Sequence, residues 1–207
     1  MSPERQWWLR VPAVLLSPTS VFVALREDSE QDVDARQEPV LALVYLAGIA
    51  GVLATSTAGA LLDDFEFDNL LVAVWAVIAG GFYAFAGYFL IGGAVYLAAR
   101  GLGGRGDYRR ARHLVAFAAA PIALSLFLVW PIELALLGSD LFRTGGGDEG
   151  STGDVFDALE LGFAVWALGL LLVGVRAVHG WSWWRSLGVL GLVALFLAAF
   201  AYLPSVL

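Results

Sequence analysis

Long apolar runs alternate with short polar ones along this chain, and five of the runs are long enough to cross a bilayer. An α-helix rises ~1.5 Å per residue, so about 20 apolar residues span the ~30 Å hydrocarbon layer. The runs fall at about residues 39–62, 69–99, 114–137, 155–178 and 186–203. Lipid offers the backbone no hydrogen-bond partner, so each run is predicted as a helix. The expected fold is all-α: a polytopic helical membrane protein with five transmembrane helices over residues 39–207. A segment of residues 1–38 precedes them and carries a short N-terminal interfacial helix.

Several local signals refine this pattern. Ser17 is placed to cap a helix with Pro18 at its first position, where a missing N–H costs nothing. Val21, Phe22 and Leu25 would then share one face, either on the membrane surface or packed on the bundle. Trp7 and Trp8 beside Arg5 and Arg10 suit the headgroup layer. Residues 27–38 are acidic and read as a solvated linker, and Pro39 suits the start of the first span. The second run is roughly 46 Å long as a helix and must tilt, kink or project from the hydrocarbon. Ala73, Gly80, Gly87 and Ala94 recur along it every seven residues, with Ala84 on the same side. This stripe predicts close approach of a neighbouring helix, with a ligand groove as the other reading. Pro121 and Pro131 each remove an N–H from the third run and predict helix bends. The glycines at 145–147 predict a flexible loop between the third and fourth runs.

Composition agrees with a membrane protein. The chain is 59% hydrophobic, above the usual share in soluble domains. No cysteine is present, which excludes disulfides and Cys-ligated clusters. All 12 basic residues are arginine, against 19 Asp and Glu, and the resulting charge of -7 argues against a nucleic-acid partner. The apolar stretch at 11–16 is interrupted by Pro12, so no secretory signal is expected.

Charge placement orients the spans. Arg5, Arg10, Arg26 and Arg36 precede the first. Arg100, Arg105, Arg109, Arg110 and Arg112 crowd the turn between the second and third. Arg176 and Arg185 flank the turn between the fourth and fifth. Arg143 alone falls in the opposite set of turns. The positive-inside rule then predicts a multi-pass protein of the cell membrane, N-terminus cytoplasmic and C-terminus outside.

Chemical motifs are sparse. Gly101, Gly103 and Gly106 match a dinucleotide fingerprint as a string, but the βαβ setting is missing. Arg110-Ala-Arg112-His113 and Arg176-Ala-Val-His179 repeat one pattern at the inner side of two spans. Arg109, Arg110, Arg112, His113, Arg176 and His179 are therefore candidates for a basic face that holds anionic lipid headgroups or an acidic partner. The competing reading is snorkelling charge that only sets orientation. Asp63, Asp64, Glu66 and Asp68 read as a solvated acidic turn, since they lack the spacing of a calcium loop. Glu133 and Glu160 lie near the outer span ends, whereas proton-coupled carriers keep an ionisable group near the midplane. Tyr45, Thr55, Ser56, Thr57, Tyr83, Tyr88 and Ser125 could line a polar path or make interhelical hydrogen bonds. No catalytic residue, metal site or cofactor is expected, and the chain is not read as an enzyme.

Certain stretches carry a family likeness. These are Ser17-Pro18 with Phe22 ahead of an acidic segment, Ala119-Ala120-Pro121 early in the third span, and the connection Gly174-Val-Arg176-Ala-Val-His179-Gly180-Trp-Ser182 before the last. With five spans, the sequence resembles the Yip domain family over about residues 15–203. The resemblance implies a membrane protein with a cytoplasmic N-terminus. In eukaryotic relatives it implies partners in vesicle traffic, including small GTPases. The Asp-Leu-Tyr-Gly-Pro signature of that branch is absent here, so those roles are not carried over. The expected function is a non-enzymatic scaffold that organises membrane lipids, other membrane proteins or further copies of itself. A small-solute transporter or channel is the alternative, with its path beside the glycine stripe and the Pro121 bend.

Overall fold

A computed structural model describes residues 3–26, 29–146 and 150–202, and no strand occurs among them. The α-helices are α1 (Pro3–Leu16), α2 (Pro18–Ala24), α3 (Glu30–Leu53), α4 (Asn69–Gly101), α5 (Tyr108–Ala118), α6 (Ala120–Leu128), α7 (Trp130–Leu137), α8 (Ser151–His179) and α9 (Trp183–Tyr202). Short 3-10 turns occupy Ala58–Asp63 and Gly138–Phe142. Five segments are long and apolar enough to cross a membrane: Glu30–Leu53, Asn69–Gly101, Tyr108–Phe142, Ser151–His179 and Trp183–Tyr202. The end of the fifth run at Leu203, the C-terminus and Gly147 lie outside the described residues.

The first span begins nine residues before Pro39. Ser29 explains the early start. Its Oγ accepts from the Asp32 backbone N–H at 3.2 Å as the N-cap of the helix, and donates to the Asp32 carboxylate at 2.7 Å. Val33, Ala35 and Arg36 are buried, so residues 29–38 form a packed helical turn rather than a solvated linker. Residues 27 and 28 of that stretch lie outside the described residues.

The chain divides into two compact units. The first comprises Met1–Leu41, Ala86–Ala118 and Leu168–Leu207. Its core gathers Trp7 and Val14 of α1, Phe22 and Leu25 from α2 and the turn after it, Leu114 and Phe117 of α5, and Val175 of α8, all buried. Trp7 stacks at a tilt on Phe117, centroids 5.7 Å apart. It is thus part of the core, while Trp8 remains exposed. Phe22 lies flat against α8: a Cβ on Gly174 would approach its ring to 3.0 Å. The interfacial helix expected from the sequence is therefore α2, packed by its Val21–Phe22 face, with α1 as a second helix before it.

The second unit comprises Ala42–Phe85 and Ala119–Ala167. Here α3 and α4 meet almost backbone to backbone. A Cβ on Gly48 would come within 2.5 Å of the Ala84 Cβ, and one on Gly80 within 2.7 Å of Ile49. Tyr45 Oη donates to the Val77 carbonyl at 3.0 Å across the same contact. Ala76, Gly80 and Ala84 are buried along a four-residue row, whereas Ala73 is exposed. In the first unit, Ala94 is buried, and a methyl group added at Gly87 would have only Ile91 of its own helix within 4 Å. The third span is interrupted at Ala119 and Val129, and Pro121 and Pro131 occupy the first turns of α6 and α7. Ser125 Oγ donates to the Ile122 carbonyl at 2.8 Å inside α6.

The two 3-10 turns of this unit pack on each other, with Leu62, Leu141 and Phe142 in one buried cluster that Val72 of α4 joins. The acidic residues nearby serve as local hydrogen-bond acceptors. Asp63 receives the Thr144 backbone N–H at 3.2 Å, Asp64 that of Glu66 at 3.0 Å, and Asp68 that of Leu71 at 2.8 Å as the N-cap of α4.

Candidate functional site

Helix α4 ends at Gly101, and its last carbonyls lack intrahelical partners. The Gly104 N–H bonds the Ala99 carbonyl at 2.8 Å, and Gly103 adopts φ +80°, a conformation that favours glycine. The chain then re-enters helix at Asp107, whose carboxylate caps α5 by accepting the Arg110 N–H at 2.7 Å. This tight return brings Arg100 and Arg110 to one cavity of about 20 Å³, lined also by Tyr96, Gly104, Gly106, Asp107 and His179.

The cavity has room for one water-sized group, because a water needs roughly 10–15 Å³ by this measure. Gly106 forms part of its wall. A Cβ there would stand 3.7 Å from His179 Cε1 and 4.0 Å from Arg110 Nη1. Arg100 is held by Tyr96, whose Oη accepts from Nη1 at 2.5 Å. His179 is held by stacking on Trp181, centroids 4.4 Å apart. Arg100, Arg110 and His179 share the lining of this water-sized gap with Asp107 and with apolar atoms, and a guanidinium in such a place can bind one oxygen of a phosphate-type headgroup in charge-assisted geometry.

The other predicted basic residues go elsewhere in the same unit. Arg109 reaches Asp107 at 3.8 Å on the surface. Arg112 is boxed by Tyr88, Phe89 and Tyr108, its guanidinium carbon 5.0, 4.7 and 4.7 Å from the three rings. His113 is buried and accepts from Arg36 Nε at 2.7 Å. Arg176 lies over Trp183 at 4.6 Å. Of the two repeated Arg-Ala-x-His motifs, the arginine of the first and the histidine of the second thus share the cavity.

Four arginines have roles that their sequence context does not assign. Arg100 completes the cavity. Arg36 fills the core 5.5 Å from the Trp7 ring, and Arg10 lies over the same ring at 4.0 Å. Burial lowers the proton affinity of Arg10 and Asp32 opposes this, while the group stays charged at ordinary pH. Arg26 donates Nε–H to the Ala177 carbonyl at 2.9 Å, and Arg185 donates to the Leu102 carbonyl at 3.1 Å. Each arginine satisfies a carbonyl where α8 or α4 runs out, the helix end that favours positive charge.

The Yip1 domain family model matches residues 13–203, nearly the whole chain. The chain belongs to the Yip1 domain family. No curated protein and no solved structure matches it. This Yip1 domain is a multi-pass membrane protein, with five helices of spanning length and apolarity. The family match begins at α1 and includes every residue of the basic cavity.

Proposed function

We propose that this Yip1 domain is a non-enzymatic scaffold of the cell membrane that gathers anionic lipid headgroups at its basic cavity. The observation that carries this reading is the convergence of Arg100, Arg110 and His179 on one water-sized gap. The placement of every arginine but Arg143 on one set of alternating turns supports a cytoplasmic N-terminus and a cavity on the inner leaflet. Anionic lipids are concentrated on that face and attract basic segments by about 1 kcal/mol per residue.

Native mass spectrometry of protein purified with phosphatidylglycerol tests the reading. The R100A/R110A pair should reduce retained phosphatidylglycerol by about tenfold, on the scale of two weakened charge-assisted contacts. Arg105, exposed and outside the cavity, serves as control. Equal retention by the pair and the control overturns the proposal. A solute carrier is the competing function, but Gly80 and Ala84, expected beside its path, are covered by Gly48 and Ile49. Solute-specific flux in proteoliposomes would decide for the carrier.

A further inference from the structure

The second unit has a groove of about 500 Å³ between the end of α3, the start of α4 and the end of α7. Leu53 of α3, Ala73, Ala76 and Val77 of α4, Leu134 of α7 and Phe142 in the turn after it form much of the lining. Side-chain size accounts for the space. Further along α4, Gly80 and Ala84 are covered by Gly48 and Ile49. Nearer its start the small residues are Ala73 and Ala76, and Ala73 is exposed. Gly138 closes α7 at the groove, and a Cβ there would meet nothing within 4 Å. One water needs only roughly 10–15 Å³, so the groove admits a chain of many heavy atoms.

What occupies the groove follows from where it opens. Its lining belongs to the spanning segments Glu30–Leu53, Asn69–Gly101 and Tyr108–Phe142. The large apolar residues beside that lining, Leu70, Val74 and Ile78 on α4 and Leu136 on α7, are all exposed. Such a rim faces hydrocarbon, and the chains available there are acyl chains. Lipid is as apolar as the groove, so a preference for one lipid has to come from packing and from the polar end. That end is defined. Asn69 and Ser139 belong to the lining and are exposed, and their chain neighbours Asp68 and Asp140 are exposed carboxylates. Arg143 is the sole basic residue in this unit's sequence. A surface of that sign repels an anionic head and attracts an ammonium.

We propose that this groove holds an acyl chain of a phospholipid whose head carries an ammonium group, as in phosphatidylethanolamine. The chain lies along Ala73, Ala76 and Val77. The head sits at Asn69 and Ser139, its ammonium toward Asp68 and Asp140. The groove belongs to a different unit from the basic cavity, and the proposal does not rest on that cavity's ligand.

Native mass spectrometry of protein purified with equal phosphatidylethanolamine and phosphatidylglycerol tests the proposal. A retained phosphatidylethanolamine is expected on the parent protein and on Val74→Phe, which lies outside the groove. Ala73→Phe, which fills the groove, should lose it. The R100A/R110A pair should keep it. Asp68→Asn with Asp140→Asn, which leaves a capping side chain at 68, should lower retention by about threefold, the scale of exposed charge pairs. Equal retention by Ala73→Phe and the parent overturns the proposal. A dimer that Ala73→Phe dissociates without loss of lipid would give the groove to a second copy, which overturns it as well. Photocrosslinking of the unmodified protein, with phosphatidylethanolamine bearing a diazirine in its chain, covers the case in which Ala73→Phe fails to fold. Adducts are expected within residues 69–77 and 134–142, and adducts confined to other segments overturn the proposal.

Discussion

Arg36 of α3 donates its Nε–H to Nδ1 of His113 on α5 at 2.7 Å, and both side chains are withdrawn from solvent. Nδ1 therefore carries the lone pair, and the ring proton sits on Nε2. The guanidinium also lies 5.5 Å from the Trp7 ring, which joins α1 to the same cluster. Removing the acceptor should cost about 1.5–3 kcal/mol, the range for a hydrogen bond to a charged group. His113→Ala is accordingly expected to lower the unfolding midpoint in detergent. His113→Gln, which keeps an acceptor oxygen, should recover part of the loss. An alanine variant as stable as the parent would show that the contact contributes nothing net.

Arg112 and Arg109 stand three residues apart and should behave in opposite ways. The aromatic box round Arg112 offers three rings, and a cation over one ring contributes roughly 0.5–1 kcal/mol or more. Gly92 adds to the fit, because a Cβ there would meet the Arg112 side chain at 2.5 Å. Arg112→Ala should reduce thermal stability clearly. Arg109→Ala should change it by less than about 0.5 kcal/mol, as expected for an exposed pair with Asp107. Reversed ranks of the two variants in a melting series would show that the box does not stabilise the fold.

The glycines divide by what surrounds them. Gly48→Ala drives a methyl group into the Gly80 carbonyl oxygen, so backbone must move. Such overpacking costs about 1–3 kcal/mol. Gly162 and Gly169 of α8 have open space where a Cβ would go. Alanine at either is expected to leave stability unchanged or raise it by up to about 1 kcal/mol through helix propensity. Denaturation of the three single variants in one detergent checks the ranking.

The five spans were legible because twenty-odd apolar residues in lipid have few structural options. Pro121 and Pro131 marked the breaks in the third span through a missing N–H, which is a local property. Ser29 also offered an N-cap to the first span, but the acidic composition of residues 27–38 masked it. The fates of the arginines were not legible. Arg110 and Arg112 are close in sequence, yet one faces a cavity and the other an aromatic box. That division depends on Gly103, Asp107 and residues from three helices meeting in space. The seven-residue stripe on α4 likewise predicted close packing without predicting that Gly48 would fill it at Gly80 and Ala84.

The orientation of the spans has a direct test, because the chain contains no cysteine. Arg105 and Thr144 are both exposed, and they lie in turns that the arginine pattern assigns to opposite sides of the membrane. Single cysteines at the two positions therefore report sidedness without background labelling. A membrane-impermeant maleimide added to intact cells is expected to modify Thr144→Cys at once. Arg105→Cys should react only after permeabilisation. The Asp63 contact to the Thr144 backbone N–H does not use the side chain being replaced, so the turn should persist in that variant. Labelling of Arg105→Cys alone in intact cells would invert the topology and move the basic cavity to the outer leaflet. The anionic-lipid reading would then lose its support from leaflet composition.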